Sequence, residues 1–262
     1  MALRSARSGE WVRTQLIKRM VQSALGAFGL RLARLDSNGA PAVGLDSFFS
    51  LLKRYGFEPR HIVDVGANHG NWTREAVKYF PGADYTLVEP QDHLKMHVQD
   101  LIDSGIRIRW INAGASDRAG VLTLNVDKRD HSSTFLDVPR TVDSAVTRYE
   151  VPVTTLNEIV KSSSLPVPNM VKIDAEGFDL KVIAGASELL GKTEVILAEV
   201  SFVQRDFENT ALAVIQRMAD AGYRFIDITY IDRSPKFGVL WLSEFAFLRN
   251  SSTLLDAATS FE

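Results

Sequence analysis

The chain has 262 residues, of which 45% are hydrophobic and 24% charged, a composition ordinary for a globular protein. It contains no cysteine, which excludes a disulfide framework and a zinc site built on thiolates. The net charge of −2 gives no electrostatic reason to expect nucleic acid as a partner.

The first 35 residues read as a basic arm on an acidic body. They contain seven Lys or Arg against Glu10 alone, a net charge of +6 that leaves −8 on the rest. Apolar residues between Val12 and Ala27 recur at helical spacing, which predicts an amphipathic helix. Three roles stay open for it: packing on its own domain or on a second subunit of a homodimer, contact with an anionic membrane surface, or disorder.

Residues 36–47 are rich in Gly, Pro, Ser and Asn and predict a linker, so the domains are set at 1–44 and 45–262. No apolar run approaches the ~20 residues of a transmembrane helix. Together with the absence of cysteine, this fits a cytoplasmic protein, placed at the membrane surface if the arm binds there.

From residue 45 onward, helices and strands alternate. The predicted order is helix 45–57, strand 61–66, helix 71–80, strand 85–90, helix 93–105 and strand 106–116. Three short β-rich segments follow at 120–126, 132–136 and 149–156, with no full helix between them. The alternation resumes with strand 169–177, helix 179–190, strand 195–202 and helix 210–222, and the strands 223–231 and 239–250 close as a hairpin.

This order predicts an α/β fold with a mostly parallel sheet, helices on both faces, a C-terminal antiparallel hairpin and a small strand-rich insertion. Such sheets bind ligands beyond the carboxyl ends of their strands. The residues that end each strand are therefore the candidates for a site.

The first strand ends in a glycine loop, Gly66-Ala67-Asn68-His69-Gly70. A dinucleotide fingerprint starting at Gly66 would need glycine at 68 and 71, and both positions are Asn, which argues against NAD. The loop still suits a nucleoside-like ligand without a pyrophosphate. Asp64, at the strand end, could accept a hydrogen bond from a ligand ammonium group.

Two further strand ends extend this ligand site. Glu89 lies 19 residues after Gly70, the spacing typical of a carboxylate that accepts the hydroxyls of a ribose. After the third strand, the small residues Ala115 and Ser116 leave room for a flat base, and Asp117 can bond its amino group.

The fourth strand ends in a dense run of charge, Lys172, Asp174, Glu176 and Asp179. Close carboxylates push each other's pKa apart, which leaves one as a plausible general base. Asp174 is the first candidate, with Glu176 beside it; a magnesium ion held by Asp174 and Glu199 is the alternative. His131, in the polar "HSST" loop of the insertion, is the second candidate for the base.

Over about residues 45–250 the chain resembles the FkbM family of S-adenosylmethionine-dependent methyltransferases. The resemblance lies in "IVDVGANHG", "VEP", "NAGASD" and "VTTLNEI", and most specifically in "VKIDAEGFDLKVIAG". It implies a seven-stranded class I methyltransferase fold and methyl transfer to a hydroxyl, often on a sugar or a natural product.

Mapped onto this sequence, the resemblance implies cofactor contacts by Asp64, Gly66, Asn68, Gly70 and Glu89, with Asp174 and Glu176 lining the reaction centre. The hypothesis is thus an O-methyltransferase that uses S-adenosylmethionine and acts on a sugar, a glycolipid or a secondary metabolite. A non-catalytic adenosyl-binding module and a magnesium-dependent O-methyltransferase are the alternatives.

Overall fold

The structure is a computed structural model that describes residues 44–126, 133–136, 147–203, 208–234 and 236–256. The predicted basic arm and His131 lie outside these residues. Among the helices of the described ranges, none is long and apolar enough to cross a bilayer.

Within the described residues, ten strands form two sheets. They are β1 His61–Val65, β2 Asp84–Val88, β3 Arg107–Ile111, β4 Gly114–Ala115, β5 Gly120–Val126, β6 Thr147–Thr154, β7 Met170–Ile173, β8 Val195–Ser201, β9 Tyr223–Arg233 and β10 Leu240–Arg249. The main sheet has seven strands in the order β3-β2-β1-β7-β8-β10-β9, and a second sheet has the order β4-β6-β5. In the main sheet β10 runs antiparallel to both of its neighbours, β8 and β9. The other five strands of this sheet pair in parallel, in the spatial order β3, β2, β1, β7 and β8. The predicted mostly parallel sheet with a C-terminal hairpin is therefore confirmed.

Six α-helices in the part of the chain that the structure describes connect or cover these strands. They are α1 Leu45–Arg54, α2 Asn71–Tyr79, α3 Gln99–Asp103, α4 Leu156–Lys161, α5 Asp179–Ala184 and α6 Ala211–Asp220. A 3-10 helix precedes α3 over Asp92–Val98. The aromatic residues Phe48 and Phe49 of α1 pack with Trp72 of α2 in the core on one face of the sheet, while α5 and α6 supply Val182 and Val214 to the core on the other.

The single helix predicted over 93–105 is wrong. The chain makes a 3-10 helix and then α3, and at the junction Val98 takes φ −110° and ψ 5°. The Val98 side chain packs so tightly on Gly70 that a Cβ at 70 would lie 2.3 Å from Val98 Cγ1. A tertiary contact thus breaks a segment whose apolar period favours one helix.

The strand-rich insertion is confirmed in outline. β5 pairs antiparallel with β6, and Thr134 adds one bridge to Asn125. The strand predicted over 106–116 is divided, because β3 ends at Ile111 and β4 joins β6 in the small sheet. The sequence reading also missed α4, which begins at a capping box formed by Thr155 and Glu158.

Candidate active site

The turn after β1 packs directly against the end of β7 and leaves no space for a side chain at residue 66. Gly66 has φ +70°, and a Cβ there would lie 1.9 Å from the carbonyl oxygen of Asp174. The Asp174 N–H donates to the Val65 carbonyl at 3.1 Å. Glycine is required at 66 for both its conformation and its size, and the loop begins directly beside Asp174.

Asn68 stands where a dinucleotide fingerprint has glycine, and its backbone takes the left-handed conformation that glycine favours. Its φ is +47°, in the left-handed region that Asn tolerates better than most residues. The side-chain Oδ1 accepts a hydrogen bond from the His69 N–H at 2.7 Å, and the Asn68 N–H donates to Glu89 Oε2 at 3.0 Å. Together with Gly70 at φ +73°, this residue keeps the loop tightly turned.

Glu89 joins the loop to the end of β2. Its other oxygen, Oε1, accepts the Gln91 N–H at 2.9 Å, and burial raises the pKa of the carboxyl group even though these two N–H groups favour its charged form. A carboxylate offers about four acceptor sites, so capacity remains for the hydroxyls of a ribose.

Asn112 is a residue of this region that the sequence reading did not single out. Its Nδ2 donates to the Pro90 carbonyl at 3.0 Å, which ties the end of β3 to the turn that holds Glu89. The available signal was a polar residue directly after a predicted strand, in "INAG".

The three residues proposed for the adenine end lie on the small sheet. Ala115 is buried in the core, and the Ser116 N–H donates to the Thr154 carbonyl at 2.9 Å. The Ser116 carbonyl packs against Gly185 just beyond α5, and the Ser116 hydroxyl bonds to Asp117 Oδ1. The structure gives these residues no contact with the Gly66–Gly70 loop, so their role toward a cofactor stays a prediction.

A buried lysine lies at the centre of the site. The Lys172 ammonium is 3.2 Å from Asp174 Oδ2 and 3.3 Å from Asp64 Oδ1, and it donates to the Gly66 carbonyl at 3.1 Å. Burial lowers the pKa of this ammonium, but the charges of Asp174, Asp64 and Glu244 raise it by more. Lys172 thus pairs with Asp174 at the end of its own strand and also binds the glycine turn.

The Asp64 carboxylate is bonded to groups of the protein itself. Its side chain is 0% exposed, and its second oxygen accepts the Thr73 hydroxyl at 2.6 Å. Burial raises the pKa of this carboxyl group, and Lys172 and Thr73 act in the opposite direction. The contacts of Asp64 indicate that it holds Lys172 and, through Thr73, helix α2. Direct contact of Asp64 with a ligand ammonium group stays a prediction.

A second buried carboxylate shapes the loop that carries Asp174 and Glu176. Asp179 accepts the Ala175 and Gly177 N–H groups, each at 3.2 Å, and the Asn209 side-chain amide at 2.8 Å. Burial, followed by the charge of Asp174, raises the pKa of Asp179 to about 7. Held this way, Glu176 takes the left-handed φ of +49°, so the chain does not continue the extended strand predicted to 177.

The small sheet reaches the same loop. The Thr134 hydroxyl donates to the Glu176 carbonyl at 2.7 Å, and Phe135 packs on Phe178 with ring centroids 5.3 Å apart. Thr134 and Phe135 of the insertion therefore support the loop of the candidate base. His131 lies outside the described residues, and its role stays a prediction.

Carboxylates continue along the edge of the sheet beyond Asp174. The pKa of Glu199 is raised well above its ordinary range by burial and by the charges of Asp174, Glu176 and Asp179. Burial also raises the pKa of Glu244 to about 7, opposed by the Thr229 hydroxyl, which donates to it at 2.5 Å. In the ranges that the structure describes, no three His, Cys, Asp or Glu residues come together as metal ligands would.

Comparison with known proteins identifies the domain. The profile of the family described as "Methyltransferase FkbM domain" matches residues 64–225, which is more than half of the chain. The chain belongs to the FkbM methyltransferase family. The matched region runs from Asp64 in β1 to the start of β9 and includes the glycine loop, Glu89 and the β7 loop.

One curated relative is the 2-O-methyltransferase NoeI of Sinorhizobium fredii, 23% identical over 152 residues. The match covers 53% of this chain and 63% of that protein. Among solved structures, a precorrin-6y C5,15-methyltransferase of Geobacter metallireducens is 13% identical with a TM-score of 0.44, covering 76% of this chain and 86% of that one. A 1,6-didemethyltoxoflavin-N1-methyltransferase of Burkholderia thailandensis is 14% identical with a TM-score of 0.40, covering 77% and 76%.

The FkbM domain is an S-adenosylmethionine-dependent methyltransferase domain, and its fold is of the class I type. The residues present fit that cofactor. The loop at Gly66 leaves no room for a Cβ, and Asn68 stands where a dinucleotide fingerprint needs glycine. The Glu89 carboxylate has acceptor sites beyond those used by the Asn68 and Gln91 N–H groups, at the spacing typical of a ribose-binding residue.

Proposed function

We propose that the protein methylates a hydroxyl oxygen of a sugar, a glycolipid or a secondary metabolite, with Asp174 as the general base. The position of Asp174 carries the proposal. It follows β7 directly, its side chain is 37% exposed, and its carbonyl touches the glycine turn of the cofactor loop. The relative NoeI is a 2-O-methyltransferase, which supports transfer to oxygen.

The chemistry left to the chain is modest. When bound, S-adenosylmethionine supplies a methyl group already activated on a positively charged sulfur. The protein must orient the acceptor hydroxyl and take its proton, and alignment supplies much of the rate. Asp174 receives that proton, while the bond from Lys172 and the loop held by Asp179 keep its carboxylate in place.

The other candidate residues take supporting roles in this proposal. Gly66, Ala67, Asn68 and Gly70 surround the methionine end of the cofactor, and Glu89 binds the ribose. Glu176 lines the acceptor side, and His131 is the alternative base.

The test is an assay with labelled S-adenosylmethionine and glycan or metabolite extracts. Asp174→Asn keeps the shape of the side chain, so S-adenosylhomocysteine should bind as before while methyl transfer slows by about 10²–10⁴-fold. Asp220→Asn is the matched control, because Asp220 is exposed at the end of α6 and should not affect turnover.

Full turnover in Asp174→Asn would contradict the role of Asp174 and make His131→Ala the next variant. A chelator added to the wild-type protein distinguishes the magnesium alternative, in which activity vanishes and returns with added metal. Cofactor binding without turnover in any extract would favour the non-catalytic module.

A further inference from the structure

The hairpin of β9 and β10 extends beyond the edge of the sheet at which Asp174 lies. The pairs that join β7, β8 and β10 place Asp174 level with Glu244 of β10. From Glu244 the hairpin continues for four more residues along β10, to the pair of Leu240 with Arg233. At a rise of about 3.3 Å per residue, the end of the hairpin stands roughly 13 Å above Asp174.

Exposed apolar side chains lie at this end beside exposed cations. We call Arg233, Lys236, Phe237 and Val239 the hairpin tip. Phe237 is 68% exposed and Val239 47%. Arg233 and Lys236 are exposed as well, and the Lys236 ammonium lies 5.1 Å from the centre of the Phe237 ring. Apolar groups next to cations suit a phase that is apolar inside and anionic at its surface, because a long cationic side chain can reach back to that surface.

Much of the turn backbone is hydrogen-bonded within the turn itself. The Ser234 N–H donates to the Val239 carbonyl at 2.9 Å, and the Gly238 N–H donates to the Ser234 carbonyl at 2.8 Å. The Phe237 N–H donates to the Ser234 hydroxyl at 3.3 Å. The Arg233 guanidinium donates to the Gly238 carbonyl at 3.1 Å. A polar backbone group enters an apolar phase at low cost only with such a partner, so these bonds prepare the tip to leave water.

The shape of the hairpin tip favours a bilayer over a protein as its partner. A stable protein interface buries about 800 Å² on each partner, which is more than two exposed apolar side chains at the end of a hairpin supply. A bilayer needs no matching shape and accepts a convex apolar tip. Amphipathic segments enter it by about 5–10 Å, and insertion to that depth would bring Asp174 close to the lipid head groups.

We propose that the hairpin tip binds an anionic membrane surface, with Phe237 and Val239 among the acyl chains and Arg233 and Lys236 at the phosphate groups. This inference goes beyond the proposed function, since it concerns where the enzyme works and stands whatever the acceptor is. Taken together with the proposed function, it favours an acceptor hydroxyl carried by a lipid over one on a free metabolite.

The experiment follows a fluorescent label on the full chain. Because the sequence has no cysteine, Val239→Cys creates a single site for an NBD label. Val121→Cys is the matched control, at a position 60% exposed on β5. The vesicles are phosphatidylcholine alone or phosphatidylcholine with about one third phosphatidylglycerol. With the anionic vesicles the emission of the label at position 239 should shift to the blue, and that of the label at position 121 should not change.

Variants of the tip test its two kinds of contact, each made in the protein labelled at position 239. Phe237→Ser should weaken vesicle binding about tenfold, because the ring no longer leaves water, with Tyr149→Ser, 52% exposed on β6, as its control. Lys236→Ala should weaken binding to the anionic vesicles about fivefold through loss of one charge, with the exposed Lys192→Ala as its control. Unchanged binding of S-adenosylhomocysteine checks that every variant is folded.

The inference is overturned if the label at position 239 does not respond to anionic vesicles, whether the protein stays in solution or binds through another segment. It is equally overturned if both labels respond, if both kinds of vesicle give the same response, or if Phe237→Ser binds like the wild type. A response that grows with protein concentration without vesicles would make a second copy the partner instead. Turnover of labelled cofactor in extracts, lost in Asp174→Asn, decides the proposed function separately from all of these results.

Discussion

Glu89 shows how a single buried carboxylate can be prepared for a ligand before the ligand arrives. The N–H groups of Asn68 and Gln91 each hold one of its two oxygens, so little side-chain freedom is left to lose on binding. Its remaining acceptor capacity lies beside a loop whose left-handed residues are already in place.

We expect Glu89→Ala to weaken S-adenosylhomocysteine binding by about 1–3 kcal/mol, because charge-assisted hydrogen bonds to the ligand are lost. Isothermal calorimetry measures the change, and Glu58→Ala is the control, because Glu58 is an exposed glutamate three residues before β1. NAD should not bind to either protein. Tight NAD binding, or an affinity unchanged in Glu89→Ala, would show that the cofactor assignment of this residue is wrong.

At the scale of elements, the decisive piece is the loop between β7 and α5. Asp179, the first residue of α5, accepts two N–H groups of the loop that precedes it. Asn209, just before α6, supplies the third donor, so the loop that carries Asp174 is held from two helices.

We expect Asp179→Asn to destabilise the fold by about 1–3 kcal/mol, because an amide cannot accept all three donors and leaves one unpaired. Turnover should fall roughly 10- to 100-fold through misplacement of Asp174, with cofactor affinity nearly unchanged. Asn209→Ala removes a single donor and should shift both quantities less, in the same direction. Chemical denaturation and single-turnover assays measure them, and wild-type turnover in Asp179→Asn would rule out the positioning role.

The elements that the sequence predicted well are those with a local cause. The main strands are short apolar runs ended by Gly, Pro or charge, and the turn at Gly66 follows from its glycines. The break at Val98 could not be predicted, because it depends on contact with Gly70 from a distant helix. The pairing of Lys172 with Asp64 was missed for a similar reason, since it requires β7 to be the neighbour of β1.

At the scale of the whole molecule, the site costs stability because it buries carboxyl groups, whose charged forms lose their hydration. The pKa values of Asp179 and Glu244, each raised to about 7, mean that the folded state holds protons that the unfolded chain releases at lower pH. Between about pH 4.5 and 7 the folded state therefore binds more protons, and the unfolding free energy falls as pH rises through this window.

Glu244→Gln should reduce the fall of the unfolding free energy between about pH 4.5 and 7. The glutamine stays neutral and can still accept the Thr229 hydroxyl, so the variant should be more stable than the wild type at pH 8 by roughly 1–3 kcal/mol. The two proteins should differ little at pH 5. Urea unfolding at both pH values checks this, with Glu188→Gln, an exposed residue, as control. An unchanged pH slope in Glu244→Gln would contradict the prediction.

The predicted boundary between the N-terminal arm and the methyltransferase domain lies at residue 44. We expect a protein starting at Leu45 to stay folded and to bind S-adenosylhomocysteine with the affinity of the full chain, since α1 already supplies Phe48, Phe49 and Leu52 to the core. Circular dichroism and calorimetry compare the two. A shorter protein starting at Phe57 lacks these residues and should unfold, and unfolding of the Leu45 protein would show that the arm belongs to the domain.

The place of β10 has a consequence for biosynthesis. The strand lies between β8 and β9, although it is made after both of them. While a ribosome is still extending the chain, β8 and β9 cannot pair through it, and each presents an unsatisfied backbone edge. The half of the sheet that holds Glu199 and Tyr230 can thus form only once residue 249 has left the exit tunnel. Until then the nascent chain exposes strands suited to pairing with other molecules, which makes translation speed and chaperone supply strong determinants of its yield.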